Sequence, residues 1–249
     1  MRHLSILAAV LAVALASSPL VPIPVAADTT AADARAVESR KLNEIVEAYF
    51  EEVLKLNPLL ATSIGDPRYN DRFEVTISPE WRARAERLQR DYLESIRTVD
   101  PALLAGQDAL THEIFRNGRE RDIEGFRFPT HLIPVHQFFS VPNSFAQLGS
   151  GTGMHPFKTV KDYEDFLQRV DGFVLWTDQA IVNMREGVAK GYALPRVLVE
   201  RTLPQLAAQV VGKPEESIYW GPIARMPESF TAAEREKLTA AYRAAIAGQ

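Results

Sequence analysis

Five histidines are the residues of this sequence best suited to metal binding or acid–base chemistry: His3, His112, His131, His136 and His155. A zinc peptidase helix typically carries the pattern H-E-x-x-H, which places two imidazoles on one face with the glutamate as base. His112 and Glu113 begin that pattern, but Arg116 stands where the second histidine is needed. Because a guanidinium stays protonated and has no lone pair to donate, the sequence predicts no zinc site here. We interpret His112 and Glu113 as residues of a helix surface.

Other catalytic motifs are also incomplete. The chain has no cysteine, which excludes cysteine nucleophiles, cysteine metal ligands and disulfides. The run Gly-Ser-Gly-Thr-Gly at 149–153 is followed by Met154-His155-Pro156 and not by a helix, so we interpret it as a turn or surface loop, not a phosphate-binding loop. No serine lies in a G-x-S-x-G pattern. The sequence therefore predicts no catalytic residue and no metal ligand.

The segment 126–158 is the best candidate for a binding surface. It is rich in proline and contains six of the twelve phenylalanines, namely Phe126, Phe128, Phe138, Phe139, Phe145 and Phe157. A long loop without periodicity usually serves a function or packs by its own side chains. As candidates for lining a cleft we select His131, His136, Phe138 and Phe139, together with Arg196, which could pair with a substrate carboxylate. The alternative is packing within the loop and an ordinary salt bridge of Arg196.

Helical periodicity dominates the rest of the sequence. Apolar residues from Leu42 to Leu54 predict a helix over 38–56, which ends at Asn57-Pro58. Further helices are predicted over 79–99, from Asp100-Pro101 to 124, from the capping box at 159–162 to 187 or 191, from about 195, and from the capping box at 231–234. A short strand is possible over 73–77. The sequence thus predicts an all-α array of helices with one long aromatic-rich loop.

The last predicted helix is still periodic at Ile246, three residues before the sequence ends, and the sequence offers nothing obvious for it to pack against. We therefore expect apolar surface to be exposed on it.

The N-terminal residues resemble an export signal. Arg2 and His3 precede an apolar run over 4–16, and Val25-Ala26-Ala27 has the small residues of a cleavage site. The sequence predicts a signal peptide over 1–27, cleaved between Ala27 and Asp28, and a helical domain over 28–249. The apolar run is too short for a membrane span. We expect a periplasmic or secreted protein, off the membrane after cleavage. Its net charge of −4 gives no indication of nucleic-acid binding.

Several ordered motifs resemble the bacterial domain-of-unknown-function 885 family. They are Pro58-Leu-Leu-Ala-Thr-Ser-Ile-Gly-Asp-Pro-Arg-Tyr69, then Phe157-Lys-Thr-Val-Lys-Asp-Tyr-Glu-Asp-Phe-Leu-Gln-Arg-Val170, then Asp178-Gln-Ala-Ile-Val-Asn-Met-Arg-Glu-Gly187 and Gly191-Tyr-Ala-Leu-Pro-Arg196. The resemblance covers 38–249. It implies kinship with mostly helical, often exported, zincin-like metallopeptidases whose H-E-x-x-P-G-H type motif lies in the C-terminal half.

None of those metal-binding positions occurs in this sequence, which resembles the N-terminal half, one wall of a deep cleft. Zinc is expected only in full-length relatives, and a peptide substrate in the intact protein. Two hypotheses follow: an exported family member truncated before its catalytic half and related to zinc-dependent peptidases or hydrolases, or a stand-alone periplasmic module that binds peptides or acts like a chaperone.

Overall fold

In a computed structural model of the chain, residues 26–138 and 140–248 are described. Their α-helices, in chain order, are α1 (Ala26–Leu56), α2 (Pro58–Ser63), α3 (Pro79–Ile96), α4 (Gly106–Gly125), α5 (Val141–Gly149), α6 (Val160–Ala189), α7 (Arg196–Ala207), α8 (Gly221–Ala224) and α9 (Ala232–Ala247). Five one-turn 3-10 helices connect them, and these described residues contain no strand beyond an isolated bridge between Val135 and Ser140. The predicted all-α class is confirmed.

The predicted signal peptide lies almost wholly outside the described residues. The cleavage positions Ala27 and Asp28 fall in the first turn of α1, which starts twelve residues earlier than the periodicity predicts. Cleavage between them stays a prediction.

Local capping explains where several helices begin. The Ser78 hydroxyl accepts a hydrogen bond from the Trp81 amide at 3.1 Å, and Pro79 fills the first turn of α3. Thr159 with Asp162, and Thr231 with Glu234, form the two predicted capping boxes. By contrast, Asp100 caps only a 3-10 turn, and α4 begins later, at Gly106.

The helices enclose two main apolar cores. The first lies among α1, α3 and α4, where the buried residues are Leu42, Leu93, Ile96, Val99 and Phe115. The second surrounds α6 and is strongly aromatic, with Phe145 of α5, Tyr163 and Phe166 of α6, and Tyr242 of α9. Phe145 stacks on Phe173 with ring centroids 4.2 Å apart. The long helix α6 therefore forms the centre of the second core.

The segment 126–158 is more regular than the sequence predicts. Residues 141–149 form α5, with Pro142 in its first turn, where a proline is tolerated. Phe145 and Leu148 point into the aromatic core. Gly149 and Ser150 are buried, so the start of the glycine run is part of the packed interior and not a surface loop. Because prolines and glycines flank it, this nine-residue helix is too short to show a helical period in the sequence.

Two smaller predictions are also wrong. His112 is buried and does not lie on a helix surface, because α4 packs this face against the first core. The possible strand over 73–77 is absent: residues 73–75 have no regular secondary structure and 76–77 form a turn, while the side chains of Phe73, Val75 and Ile77 pack into a small core with Trp176.

The last helix has a partner. Leu238 and Tyr242 of α9 are almost fully buried against α6, and the Tyr242 hydroxyl donates to the Tyr163 carbonyl at 3.1 Å. Lys237 adds a surface ion pair with Glu164, at 2.7 Å. The expectation that α9 has nothing to pack against is therefore wrong for its central turns.

Replacing Leu238 with alanine tests this packing. Loss of a fully buried leucine should lower the free energy of unfolding by about 2–5 kcal/mol. Lys237→Ala removes only an exposed ion pair and should cost less than about 1 kcal/mol. Urea denaturation followed by circular dichroism measures both. Equal, small losses for the two variants would contradict the packing of α9 on α6.

Candidate functional site

A buried arginine lies at the centre of the most polar cluster in the second core. Arg169 of α6 is fully buried. Its Nε donates to the Arg72 carbonyl at 3.1 Å, and its Nη2 donates to the Tyr69 carbonyl at 3.1 Å and to the Thr62 hydroxyl. The Nη1 atom lies 2.8 Å from Nδ1 of His155. The Oδ1 atom of Asn70 accepts from the Thr62 hydroxyl at 2.7 Å. We call Thr62, Tyr69, Asn70, Arg72, His155 and Arg169 the Arg169 cluster.

The contacts of His155 define its protonation state. A guanidinium can only donate, so Nδ1 of His155 must accept the hydrogen bond from Arg169. The Nε2 atom lies 2.8 Å from the Asp162 carbonyl oxygen and donates to it. His155 is therefore neutral and protonated on Nε2. Burial lowers the pKa of His155 to about 4; the hydrogen bond to the Asp162 carbonyl opposes this in part, and the charge of Arg169 lowers the pKa further.

The Arg169 cluster is a structural clamp. Its arginine and histidine are both buried, and groups of the chain itself engage their polar atoms. Burial lowers the pKa of Arg169 to about 10, which leaves it charged at neutral pH. Asp165, itself buried, lies close enough to favour that charge and is paired with Lys161 at the surface. The cluster joins α2 and the segments around Arg72 and His155 to α6.

A groove beside the clamp is accessible. It has a volume of about 490 Å³ and lies between α6, the end of α9 and the irregular segment 209–217. Its lining is mainly apolar and comprises Phe166, Leu167, Val170, Phe173, Tyr219, Tyr242, Ala245, Ile246 and Ala247, with Gln209 and Ser217 among the polar residues of the irregular segment. We call it the α6/α9 groove. Its size falls within the range of about 300–1,000 Å³ found for ligand pockets.

The two tyrosines of the groove stay neutral at physiological pH. Burial raises the pKa of Tyr219 and of Tyr242 well above the ordinary value of a phenol. The Tyr242 hydroxyl is engaged with the Tyr163 carbonyl. The groove therefore offers aromatic surface and no charged group for acid–base chemistry, which suits binding of an apolar group better than catalysis.

The described residues that were selected from the sequence as cleft-lining candidates lie outside the α6/α9 groove. His131 is half-buried under α6, where its carbonyl accepts from the Asn183 amide at 3.0 Å; burial, with the charge of Arg82, lowers its pKa. His136 and Phe138 are neighbours, since the Phe138 amide donates to His136 Nδ1 at 3.3 Å and the Phe138 ring is exposed. Arg196 is exposed at the start of α7 and pairs with Glu200 at 2.7 Å.

Phe139 lies outside the described residues. None of the four others lines the α6/α9 groove, and their role in lining a cleft stays a prediction.

Sequence reasoning missed the groove for an identifiable reason. Its floor, with Phe166, Val170, Phe173 and Tyr242, belongs to the apolar faces that periodicity assigns to helices α6 and α9. Its other wall, 209–217, has no period. The signal that could have revealed it is the apolar pair Val210-Val211, which stands between the end of α7 and Gly212-Lys213-Pro214 and belongs to no helix.

The described residues do not form a set of side chains that could bind zinc. No group of three or more histidine, aspartate or glutamate side chains among the described residues is placed to hold a metal ion. The residues that are present therefore do not fit the zinc that the family resemblance implies for longer relatives. No described helix combines the length and hydropathy needed to cross a bilayer.

A family model described as "Bacterial protein of unknown function (DUF885)" matches residues 58–249, well over half of the chain. The match confirms the resemblance drawn from the ordered motifs, and its range includes both the Arg169 cluster and the α6/α9 groove. No curated protein matches the sequence.

The protonation state of His155 predicts an acid-sensitive step in stability. A histidine in the unfolded chain has a pKa near 6.5, whereas folding lowers that of His155 to about 4. The unfolded chain therefore takes up a proton between these values and the folded chain does not. The contribution of His155 to stability is complete above about pH 7, falls from about pH 6.5 and is lost by about pH 4, a change on the order of 3 kcal/mol.

The variant His155→Gln should reduce that loss. Its amide can accept from Arg169 and donate to the Asp162 carbonyl but cannot titrate. Free energies of unfolding from urea titrations at pH 7.0, 5.5 and 4.5 measure the difference, and pH profiles that are parallel in the parent and the variant would disprove the assigned state.

Proposed function

Since the chain belongs to the DUF885 family of bacterial proteins, we propose that it is an exported, hydrolase-like protein whose helical part binds peptide through the α6/α9 groove. The observation that carries the proposal is the groove itself, an accessible apolar cavity with aromatic side chains on two sides. Pockets of this kind bind ligands through buried apolar surface, and a few polar groups set the orientation.

The chemistry of the lining indicates what kind of peptide binds. Phe166, Phe173 and Tyr219 present ring faces and edges, and no charged side chain lines the groove. Burying one large apolar side chain of a ligand there contributes about 1.5–3 kcal/mol. Polar groups of the irregular segment, with Ser217 and the backbone of Val210–Gly212, border the cavity and can bind a peptide backbone. The favoured ligand is therefore a peptide with a phenylalanine or leucine anchor.

The other two parts of the proposal, export and hydrolase-like character, are supported by the sequence and not by the groove. Export is supported by the charged start, apolar run and small residues that precede Asp28. Hydrolase-like character is supported by the kinship with zincin-like proteins that the ordered motifs imply. In this proposal the described helices hold the substrate, and zinc chemistry belongs to the longer relatives.

The groove also favours the second hypothesis, a periplasmic peptide-binding or chaperone-like module. All of its lining residues belong to the described helices and the segment 209–219, so the groove is formed within the helical part. The two hypotheses differ in what the bound peptide is for: in the first it is held for the zinc chemistry of a full-length protein, and in the second binding and release are themselves the function.

Filling the groove tests the proposed binding site. Ala245 lines it, so Ala245→Phe should occupy the space of the ligand and weaken binding of a fluorescent Phe- and Leu-containing peptide about tenfold or more. Ala240→Phe adds the same ring at an exposed position of α9 and should leave the affinity unchanged. Fluorescence anisotropy measures both, and equal affinities for the two variants would show that the groove is not the binding site.

The same peptide separates the two hypotheses. Mass spectrometry after long incubation should show the peptide intact with this chain alone, because no group of side chains among the described residues is placed to hold zinc, and cleaved with a longer relative that carries the H-E-x-x-P-G-H type motif. A longer relative that binds the peptide and leaves it intact favours the binding module instead.

A further inference from the structure

The solvent exposure of the outer face of α6 changes along the length of the helix. Over its first three turns α9 covers this face, so that Val170 is buried. From Val174 onward α9 no longer covers it, and five large apolar side chains are between 38% and 69% exposed: Val174, Leu175, Ile181, Val182 and Val188. Exposed apolar residues gathered on one helix face usually mark an interaction surface.

These residues form two parallel rows. Val174, Ile181 and Val188 follow one another at intervals of seven residues, and Leu175, Val182 and Ala189 form a second row at the same interval. Because a helix has 3.6 residues per turn, residues seven apart lie almost on one line. Asp178 and Arg185 lie on the line between the two rows. We call these eight residues the outer stripe of α6.

The two charges of the outer stripe form no salt bridge with other described residues. Asp178 and Arg185 are both exposed, and in the part of the chain that the structure describes neither is among the residues that form salt bridges. They are two helical turns apart, roughly 10 Å along the axis, so they cannot pair with each other. An acid and a base at the centre of an apolar stripe are complementary to a surface with the opposite order of charge.

We propose that the outer stripe is a dimer interface, in which α6 packs antiparallel against α6 of a second copy around a two-fold axis between Ile181 and Val182. The two-fold axis reverses the helix direction, so Asp178 faces the partner's Arg185, and Arg185 faces the partner's Asp178. In the flanking rows Ile181 meets the partner's Ile181, and Val174 meets the partner's Val188. One self-complementary surface then satisfies both charges and covers both apolar rows.

The order of the charges selects this arrangement over the parallel one. In a parallel pair Asp178 would face the partner's Asp178 and Arg185 would face the partner's Arg185, and both contacts would be repulsive. The seven-residue interval is that of helices that pack at a shallow angle with side chains interdigitated. Isologous two-fold dimers of this kind are the commonest symmetric assemblies of identical chains.

Charge reversal tests the proposal with its own internal control. The parent should sediment as a dimer at tens of micromolar in analytical ultracentrifugation. Asp178→Arg gives a stripe with two positive charges and Arg185→Asp one with two negative charges, so each variant alone should dimerise at least about tenfold more weakly. An equimolar mixture of the two variants should form a heterodimer, because every facing pair is then of opposite sign.

Glu113→Arg and Arg121→Asp are matched controls, since they make the same changes of charge at exposed positions of α4. These should leave the parent's dimerisation unchanged. A monomeric parent at 100 µM, single variants that dimerise like the parent, or a mixture that stays monomeric would each overturn the proposal. Circular dichroism confirms that the variants are folded.

The absence of cysteine allows a second, independent measurement. Val182→Cys introduces a unique thiol beside the two-fold axis, and a short bismaleimide should link two copies of it in high yield. Glu113→Cys, a unique thiol at an exposed position of α4, should give only traces of linked dimer. Equal yields for the two variants would contradict the antiparallel pairing.

Discussion

The guanidinium of Arg169 places a positive charge in the interior, and much of the chain is arranged to satisfy it. A buried charge without partners costs several kcal/mol, so each donor of the guanidinium needs an acceptor close by. The acceptors come from three separate segments: the Thr62 hydroxyl of α2, the carbonyls of Tyr69 and Arg72, and the imidazole of His155. The charge is satisfied only when all three lie against α6, so the cluster couples distant parts of the sequence.

The packing of the aromatic core also requires neighbouring segments of the chain to lie close to α6. An added Cβ at Gly172 would lie 2.5 Å from the Phe73 carbonyl oxygen, and one at Gly149 would lie 2.3 Å from the Phe166 ring. Any larger residue at these two positions would therefore push the segment around Phe73, or the end of α5, away from α6. Displacement of the segment around Phe73 would also move the nearby carbonyls of Tyr69 and Arg72, which bind Arg169. Close packing at the glycines and satisfaction of the buried charge thus support each other.

The features that the sequence predicted correctly depend on residues that are close together in the chain. The starts of α3, α6 and α9 depend on caps within three residues of each helix start, and the prediction of each was confirmed. Helix α5 was missed because nine residues among prolines and glycines give too short a period, and the burial of His112 depends on a distant packing partner. The Arg169 cluster has no sequence signature, since two of its acceptors are backbone carbonyls. The irregular wall of the groove was unpredictable for a similar reason, because no periodic pattern defines it.

The face of α6 on which α9 packs shows how this helix accepts a neighbour. There, apolar residues such as Val170 are covered by the neighbouring helix, and at the edge an acidic residue, Glu164, pairs with Lys237 across the contact. The heptad positions that follow Glu164 are Asp171, Asp178 and Arg185, each beside apolar residues of the same helix. The sequence therefore repeats, beyond the end of α9, the combination of apolar rows and charged residues that packs a helix at the start of α6. A helix face that is exposed only to water typically carries polar residues and not two apolar rows. The continuity of this pattern is the physical reason to regard the α9 contact and the outer stripe as successive parts of one helix-packing face.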